Sequence, residues 1–479
     1  MATSSGSISS LGIGSGIDAS AIVSQLMSIE RLPLNRLKNQ AIDFNAQLSN
    51  FGKLQSNIST LRDKANALNS PTLWTGTAAT VSDSTALSVS TGAETPTGSY
   101  SILVNKLASS QTLTSGVFAS RDSLLNEGSL TIDLGSYNNN GVFTGKAGAD
   151  PITVTIDASN TSLAQIRDRI NAAGSSVVAG IVNDANGARL TLRSRETGVE
   201  SAFRITAVET NDDGDPATGL SALNYDAGNV NAPMQRTAVA GNAELKINGI
   251  DISSATNVLD NVVEGLNITV NKASANPVQV DVATDKAAIK TAITGLVDAF
   301  NTAANFIRTQ TAYNAESKTA GALQADPGTL SLQSQLRAVI NEASTASGTF
   351  GRLSDIGIAL KSDGSFEVND KKLENGLGNL TETRKLLTND GSTNANSGFV
   401  RRFKRLSDAA LGVEGLFDAR TTSLRSRLDR NGKSQSDQEN RLSSVEARLR
   451  RQYTALDTTM ARLNAQSSYM SQQINQMFK

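Results

Sequence analysis

The chain has 479 residues, room for roughly two to four domains that each bury a core. It contains no cysteine and no histidine, which excludes thiol nucleophiles, disulfides, Cys/His zinc sites and histidine-based proton transfer. The formal charge is −1 but unevenly spread: residues 116–283 carry 19 acidic against 11 basic side chains, and residues 400–451 carry 13 basic against 7 acidic.

The first 20 residues are rich in Ser and Gly and lack the basic and apolar regions of a secretory signal, so no ordinary cleaved signal is expected. Disorder is expected there when the chain is alone. Asp18 or Ser20 can cap a first amphipathic helix carrying Ile22, Val23, Leu26 and Ile29. Pro33 predicts a break near Leu32. A second helix follows with apolar or small residues at Leu37, Ala41, Phe44, Leu48 and Phe51, then at Leu54, Ile58, Leu61, Ala65 and Leu68. Steps of three and four put these on one face that needs a partner. Asn69-Ser70-Pro71 ends it.

From Thr77 to Leu113 the pattern alternates, as strands do. Beyond it, two units of related plan are expected. In the larger, Ser129–Asp133 and Ile152–Ile156 read as strands. Ser162 and Gln165 form a capping box for a helix with Leu163, Ile166 and Ile170 inward. Asn186-Gly187 turns a hairpin between Val177–Val182 and Arg189–Leu192. In the smaller, Glu244–Asn248, Ile250–Ile252 and Leu266–Val270 read as strands, and Val258–Val263 as a short helix.

Helix returns at Asp285, with Ile289, Ile293, Leu296, Phe300, Ala303 and Ile307 on one face. A helix around Leu330–Ile340 follows Asp326-Pro327-Gly328. Leu353–Leu360 and Ser365–Val368 suggest a hairpin around Asp363-Gly364, and helix resumes over Phe399–Leu411 and from Leu416 onward. The last series is Leu442, Val445, Leu449, Tyr453, Leu456, Met460, Leu463, Ser467, Met470, Ile474 and Met477. Above it the positions Asn431, Gln435 and Gln438 are polar, a weak point or joint beside Gly432. The fold class expected is multidomain α+β, with the terminal helices paired as a coiled coil, a helical core with β-hairpins, and two inserted β-rich α+β modules.

Chemistry is sparse. GIGSG at Gly12–Gly16 lacks the strand and βαβ unit of a nucleotide site and reads as a flexible peptide. Asp212, Asp213 and Asp215 lack EF-hand spacing and read as a solvated loop. Arg401, Arg402, Lys404 and Arg405, with Arg448, Arg450 and Arg451, have no aromatic platform or nucleic-acid reader module. They read as helix-surface charges pairing with a neighbouring subunit, so no nucleic-acid partner is expected. Trp74 reads as an anchor for the strands. No catalytic carboxylate pair stands out, so no enzyme activity, cofactor or metal is expected. No apolar run nears the ~20 residues of a membrane span, and no membrane insertion is expected.

LGIGSGIDASAIVSQLMSIERLPLNRL near the N-terminus, LSDIGIALKSDGSFEVNDKKL, and the closing LRRQYTALDTTMARLNAQSSYMSQQINQMF resemble segments of the FliD family of flagellar filament caps, the hook-associated protein 2 family, in family order. SLAQIRDRINAAGSSVVAGIVNDANGARLTLRS is similar to a repeat motif of flagellar axial proteins, placed at about 150–200. The resemblance implies a chain secreted unfolded by type III export, which forms a homo-oligomeric ring at the distal filament tip and guides flagellin into the filament. It implies hook–filament junction proteins as further partners and an export chaperone at the C-terminal helix. Domains expected on this reading are a helical leg from 1–40 with 434–479, a core from 41–112 with 284–433, an inserted β-rich module from 113–126 with 234–283, and an outer module from 127–233. The residues expected to carry oligomer and filament binding are Ile22, Leu26 and Ile29, opposite Leu456, Met460, Leu463, Met470 and Ile474. An alternative is an adhesin whose acidic middle modules bind a host or surface receptor.

Overall fold

A computed structural model describes residues 18–92, 95–316 and 318–477; the GIGSG segment lies outside them. In chain order the helices are α1 (Ala19–Glu30), α2 (Leu32–Asn69), α3 (Pro71–Thr75), α4 (Leu163–Ala172), α5 (Lys286–Thr311), α6 (Pro327–Asn341), α7 (Asp370–Gly378), α8 (Leu380–Thr388), α9 (Phe399–Leu411) and α10 (Leu416–Met477). The architecture is multidomain α+β. Contacts divide it into two compact units, residues 1–70 with 286–479, and residues 71–285.

The first unit is helical. Asp18 Oδ1 accepts the Ala21 N–H at 2.8 Å and starts α1, satisfying one of the donors a helix N-terminus leaves free. The chain re-enters helix at Leu32 with Pro33 in the first turn of α2, where its missing N–H costs nothing. Phe51, Leu54, Ile58, Leu61, Ala65 and Leu68 of α2 are buried, as are all six expected seam positions of α5. Phe300 lies at the centre, its ring 4.4 Å from Phe366 and 5.6 Å from Phe403. Asp326, Asn369 and Asn379 cap α6, α7 and α8 through side-chain oxygens.

Two sequence expectations are corrected in this unit. Leu353–Ile356 is a 3₁₀ turn, with strand only at Ile358–Leu360 pairing Phe366–Val368. Gly357, at φ 87°, takes the left-handed conformation that stops the turn, which few other residues adopt cheaply. The helix α10 also runs through Asn431-Gly432 without a break.

The second unit holds two hydrophobic cores. The first lies between a five-stranded sheet, ordered Thr77–Val81, Val278–Thr284, Gly98–Lys106, Ala243–Ile247, Ile250–Ser254, and a three-stranded sheet of Val258–Val263, Leu266–Val270 and Leu87–Thr91. Alternate residues point inward: Ile102 and Val104, Leu266, Ile268 and Val270, Val278, Val280 and Val282, as a strand period of two requires. Trp74 is buried in α3. The segment Val258–Val263 is a strand, antiparallel to Leu266–Val270, and not the expected helix. Three valines in six residues favour extended backbone, and a segment that short seldom nucleates helix. This module is therefore β throughout.

The second core is covered by α4 and two four-stranded sheets, one built on Gly128–Tyr137 and one on Gly187–Ser194. Ser162 and Gln165 form the capping box, and Leu163, Ile166 and Ile170 are buried. In the hairpin, Asp184 pairs Gly187, so the turn residues are Ala185 and Asn186, one position earlier than expected.

Candidate filament-binding leg

The helix α1 and the start of α2 pack along α10. Val23 and Met27 of α1, Leu34 of α2 and Leu442 of α10 form a small buried cluster, with Val445, Leu449 and Tyr453 packed against it. Lys38 and Glu439 add an ion pair at 3.5 Å, both ends about half exposed, which contributes little. Below Tyr453 the apolar face of α10 has no buried residue among those described.

The residues expected to bind fall around this cluster. Ile22 and Met460 are half-buried. Leu26 is 37% exposed, Ile29 64%, Leu456 45%, Leu463 51%, Met470 56% and Ile474 51%. Val23, Met27 and Leu34 hold α1 and the start of α2 against α10, and not the expected Leu26 and Ile29, which are exposed; Leu456, Leu463, Met470 and Ile474 continue the α10 face below Tyr453. The 23–27–34 spacing keeps one face across the Arg31 junction and is the signal by which those three could be found.

The basic run on α9 has a different role from the one expected. Arg402 is 2% exposed. It donates to the carbonyls of Ser397 at 3.0 Å and Glu342 at 2.6 Å. Arg401 and Arg405 both approach Asp390, and Lys404 pairs with Asp408. Arg450 pairs with Glu446 one turn earlier. Arg401, Arg402, Lys404, Arg405 and Arg450 thus have partners within the chain.

Glu209, Asp212 and Asp213 bring carboxylate oxygens within 4.8 Å of one another. Their acceptors are engaged: Glu209 takes the Ser221 N–H at 2.7 Å and the Asn126 amide, and Asp213 takes the Asp215 N–H and the Thr218 hydroxyl. Hydrogen bonds hold the Asp213 carboxyl below its usual range. This is the geometry of a self-satisfied loop. Among the described residues no helix is long and apolar enough to cross a membrane.

Two family models match, "Flagellar hook-associated protein 2 N-terminus" over residues 15–111 and "Flagellar hook-associated protein 2 C-terminus" over residues 240–465. The stretch between them contains most of the second core of the 71–285 unit. Flagellar hook-associated protein 2 of Escherichia coli K12 is 31% identical over 98% of each chain, and that of Salmonella typhimurium is 30% identical over 99% of each. The crystal structure of the D1-D2-D3 domains of the flagellar cap protein FliD from Escherichia coli is similar at a TM-score of 0.56 and 28% identity, covering 78% of this chain and 99% of that one. Full-length identity of this order, with both family models in sequence order, makes the chain a member of the flagellar hook-associated protein 2 (FliD) family.

Proposed function

We propose that the chain is a structural cap at the distal end of the bacterial flagellar filament, where a homo-oligomeric ring promotes flagellin polymerisation and prevents loss of unpolymerised flagellin. The observation that carries the mechanism is the exposure of the large apolar side chains Leu26, Ile29, Leu456, Leu463, Met470 and Ile474 beside the buried cluster of Val23, Met27, Leu34 and Leu442. Exposed apolar side chains of this kind favour a partner. Each side chain it buries contributes roughly 1.5–3 kcal/mol before ordering costs. Several such contacts hold the tip and can be released a few at a time as subunits insert. The paired terminal helices form this detachable leg, with Ile22 and Met460 beside its exposed residues. Hook–filament junction proteins and a type III export chaperone at the C-terminal helix are its further partners. The role is assembly, without catalysis.

The test is the double substitution Leu456→Asp with Leu463→Asp. Both side chains are exposed, so the purified protein keeps its helicity. Cells carrying it shed flagellin into the medium and lack filaments. Filaments of normal length from that strain would overturn the proposal.

A further inference from the structure

The helix α10 carries opposite charge on its two flanks. Phe417, Leu424, Asn431 and Leu442 are buried at steps of 7, 7 and 11 residues and mark its inward face. To one side stand Arg427, Arg430, Arg441, Arg448 and Arg462, all exposed. To the other stand Asp429, Glu439 and Glu446. Arg441 and Arg448 come one residue before the inward Leu442 and Leu449, and Glu439 and Glu446 come three before them. At about 3.6 residues per turn the two pairs lie about 160° apart.

The flanks differ in what they already touch. Among the described residues each carboxylate has one cationic partner: Asp429 has Lys433 at 3.2 Å, Glu439 has Lys38 at 3.5 Å and Glu446 has Arg450 at 2.8 Å. A carboxylate accepts from more than one donor. Among the same residues no ion pair or side-chain hydrogen bond engages the five arginines. Like charges lined along one flank repel one another, and an acidic surface laid beside them removes that cost. The matching surface is on the same chain. Arg441 and Arg448 are seven residues apart, as are Glu439 and Glu446; Arg430 lies 11 before Arg441, and Asp429 lies 10 before Glu439. A second copy alongside, pointing the same way and shifted by about two residues, roughly 3 Å, brings all three pairs level.

We propose that the arginine flank of α10 in one copy docks on the carboxylate flank of α10 in the next. Copies arranged about one axis keep the same direction, so unlike flanks meet at every contact and the pairing repeats head-to-tail around a closed ring. This contact rests on the homo-oligomeric ring proposed above and adds which faces meet in it. Single exposed ion pairs hold little. A row of them sets the direction and register of neighbouring helices and rejects like flanks.

Sedimentation velocity on the full purified chain tests it. Arg441→Glu with Arg448→Glu makes both flanks acidic, and Glu439→Arg with Glu446→Arg makes both basic. Each variant alone needs at least about tenfold more protein for half-association than the unsubstituted chain. An equimolar mixture of the two associates as the unsubstituted chain does, because unlike flanks meet again. Recovery on mixing separates the contact from damage to the fold, which mixing does not repair. Association of either variant alone at the unsubstituted concentration, or no recovery in the mixture, overturns the contact and leaves the ring standing. An unsubstituted chain that stays monomeric at every concentration overturns the ring and the contact together. Should circular dichroism show a reversed variant unfolded, Arg441→Gln with Arg448→Gln decides: weaker association with a smaller dependence on salt supports the contact, and an unchanged salt dependence overturns it.

Discussion

Asn301 holds Phe366 by both of its backbone groups. The Phe366 N–H donates to Asn301 Oδ1 at 2.6 Å, and Asn301 Nδ2 donates to the Phe366 carbonyl at 3.0 Å. The carboxamide thereby acts as a missing neighbour strand for a two-stranded sheet too small to stand alone. The same device recurs in the 71–285 unit. Asn171 on α4 bonds both groups of Ala179, on an edge strand, and Asn257 bonds both groups of Ala108. Unpaired strand edges invite further pairing, and an amide side chain closes them.

Replacing Asn301 with Leu keeps the volume and removes both bonds, leaving a partly buried N–H and C=O unanswered. The expected cost is about 2–6 kcal/mol, from roughly 1–3 kcal/mol for each unsatisfied group. Denaturant unfolding followed by hydrogen exchange in Ile358–Val368 checks it. Loss of protection there, with Val177–Asp184 unaffected, is the expected pattern.

Arg402 is the second such joint. Its guanidinium binds carbonyls at the C-terminal end of α6 and in the 389–398 loop, and among the described residues no carboxylate pairs with it. The C-terminal end of a helix is the negative end of its dipole, which suits a buried cation. Its planar fork also stacks on Phe399 at 4.7 Å. Arg402→Met leaves several carbonyls without donors and is expected to cost about 3–5 kcal/mol. Arg402→Lys keeps the charge but loses the fork, and is expected to recover only part of it. Thermal unfolding of both variants gives the comparison.

Long amphipathic helices were legible from sequence because burial and the 3.6-residue period agree over many turns, as at Ile289 through Ile307. Caps were legible from local residue types at Ser162 and Asp18. Arg402 was not, because a buried arginine within a basic run carries the same pattern as a solvated one. Its environment comes from α6 and the 389–398 loop, over sixty positions and a few positions away. Val258–Val263 misled because its apolar spacing suits a helix, while the strand partner at Leu266–Val270 decides otherwise. On α1, apolar residues occur on more than one face, so the sequence does not reveal which face meets α10. The packing selects Val23 and Met27 and turns Leu26 and Ile29 outward.

Glu382 makes stability depend on acid in a defined window. It accepts from Lys385 Nζ, Ser347 Oγ and the Gly348 N–H, each at 2.7 Å, and its pKa falls from 4.5 to about 2 with the Lys385 bond as the largest cause. A depressed folded pKa contributes stability that is complete above the unfolded value and is lost as pH falls through the folded one. The loss therefore runs from about pH 4.5 down to about pH 2. Glu382→Gln removes this contribution at neutral pH and flattens the stability profile across the same interval. Parallel profiles for the two proteins would show that Glu382 does not set it.

Leu442 and Leu463 separate the leg's own stability from its binding. Leu442 is 7% exposed and sits in the small α1–α10 cluster, while Leu463 is 51% exposed on the same helix. Leu442→Ala removes buried methyl groups and is expected to destabilise that segment by about 2–5 kcal/mol. Leu463→Ala trims an exposed side chain and is expected to stay within about 0.5 kcal/mol in the isolated protein. In cells the order reverses in kind: Leu463→Ala shortens filaments and raises flagellin in the medium although the purified protein is intact. Circular dichroism melts beside filament length measured by electron microscopy make the comparison. A Leu463→Ala strain with filaments of full length would show that this part of α10 does not meet the filament.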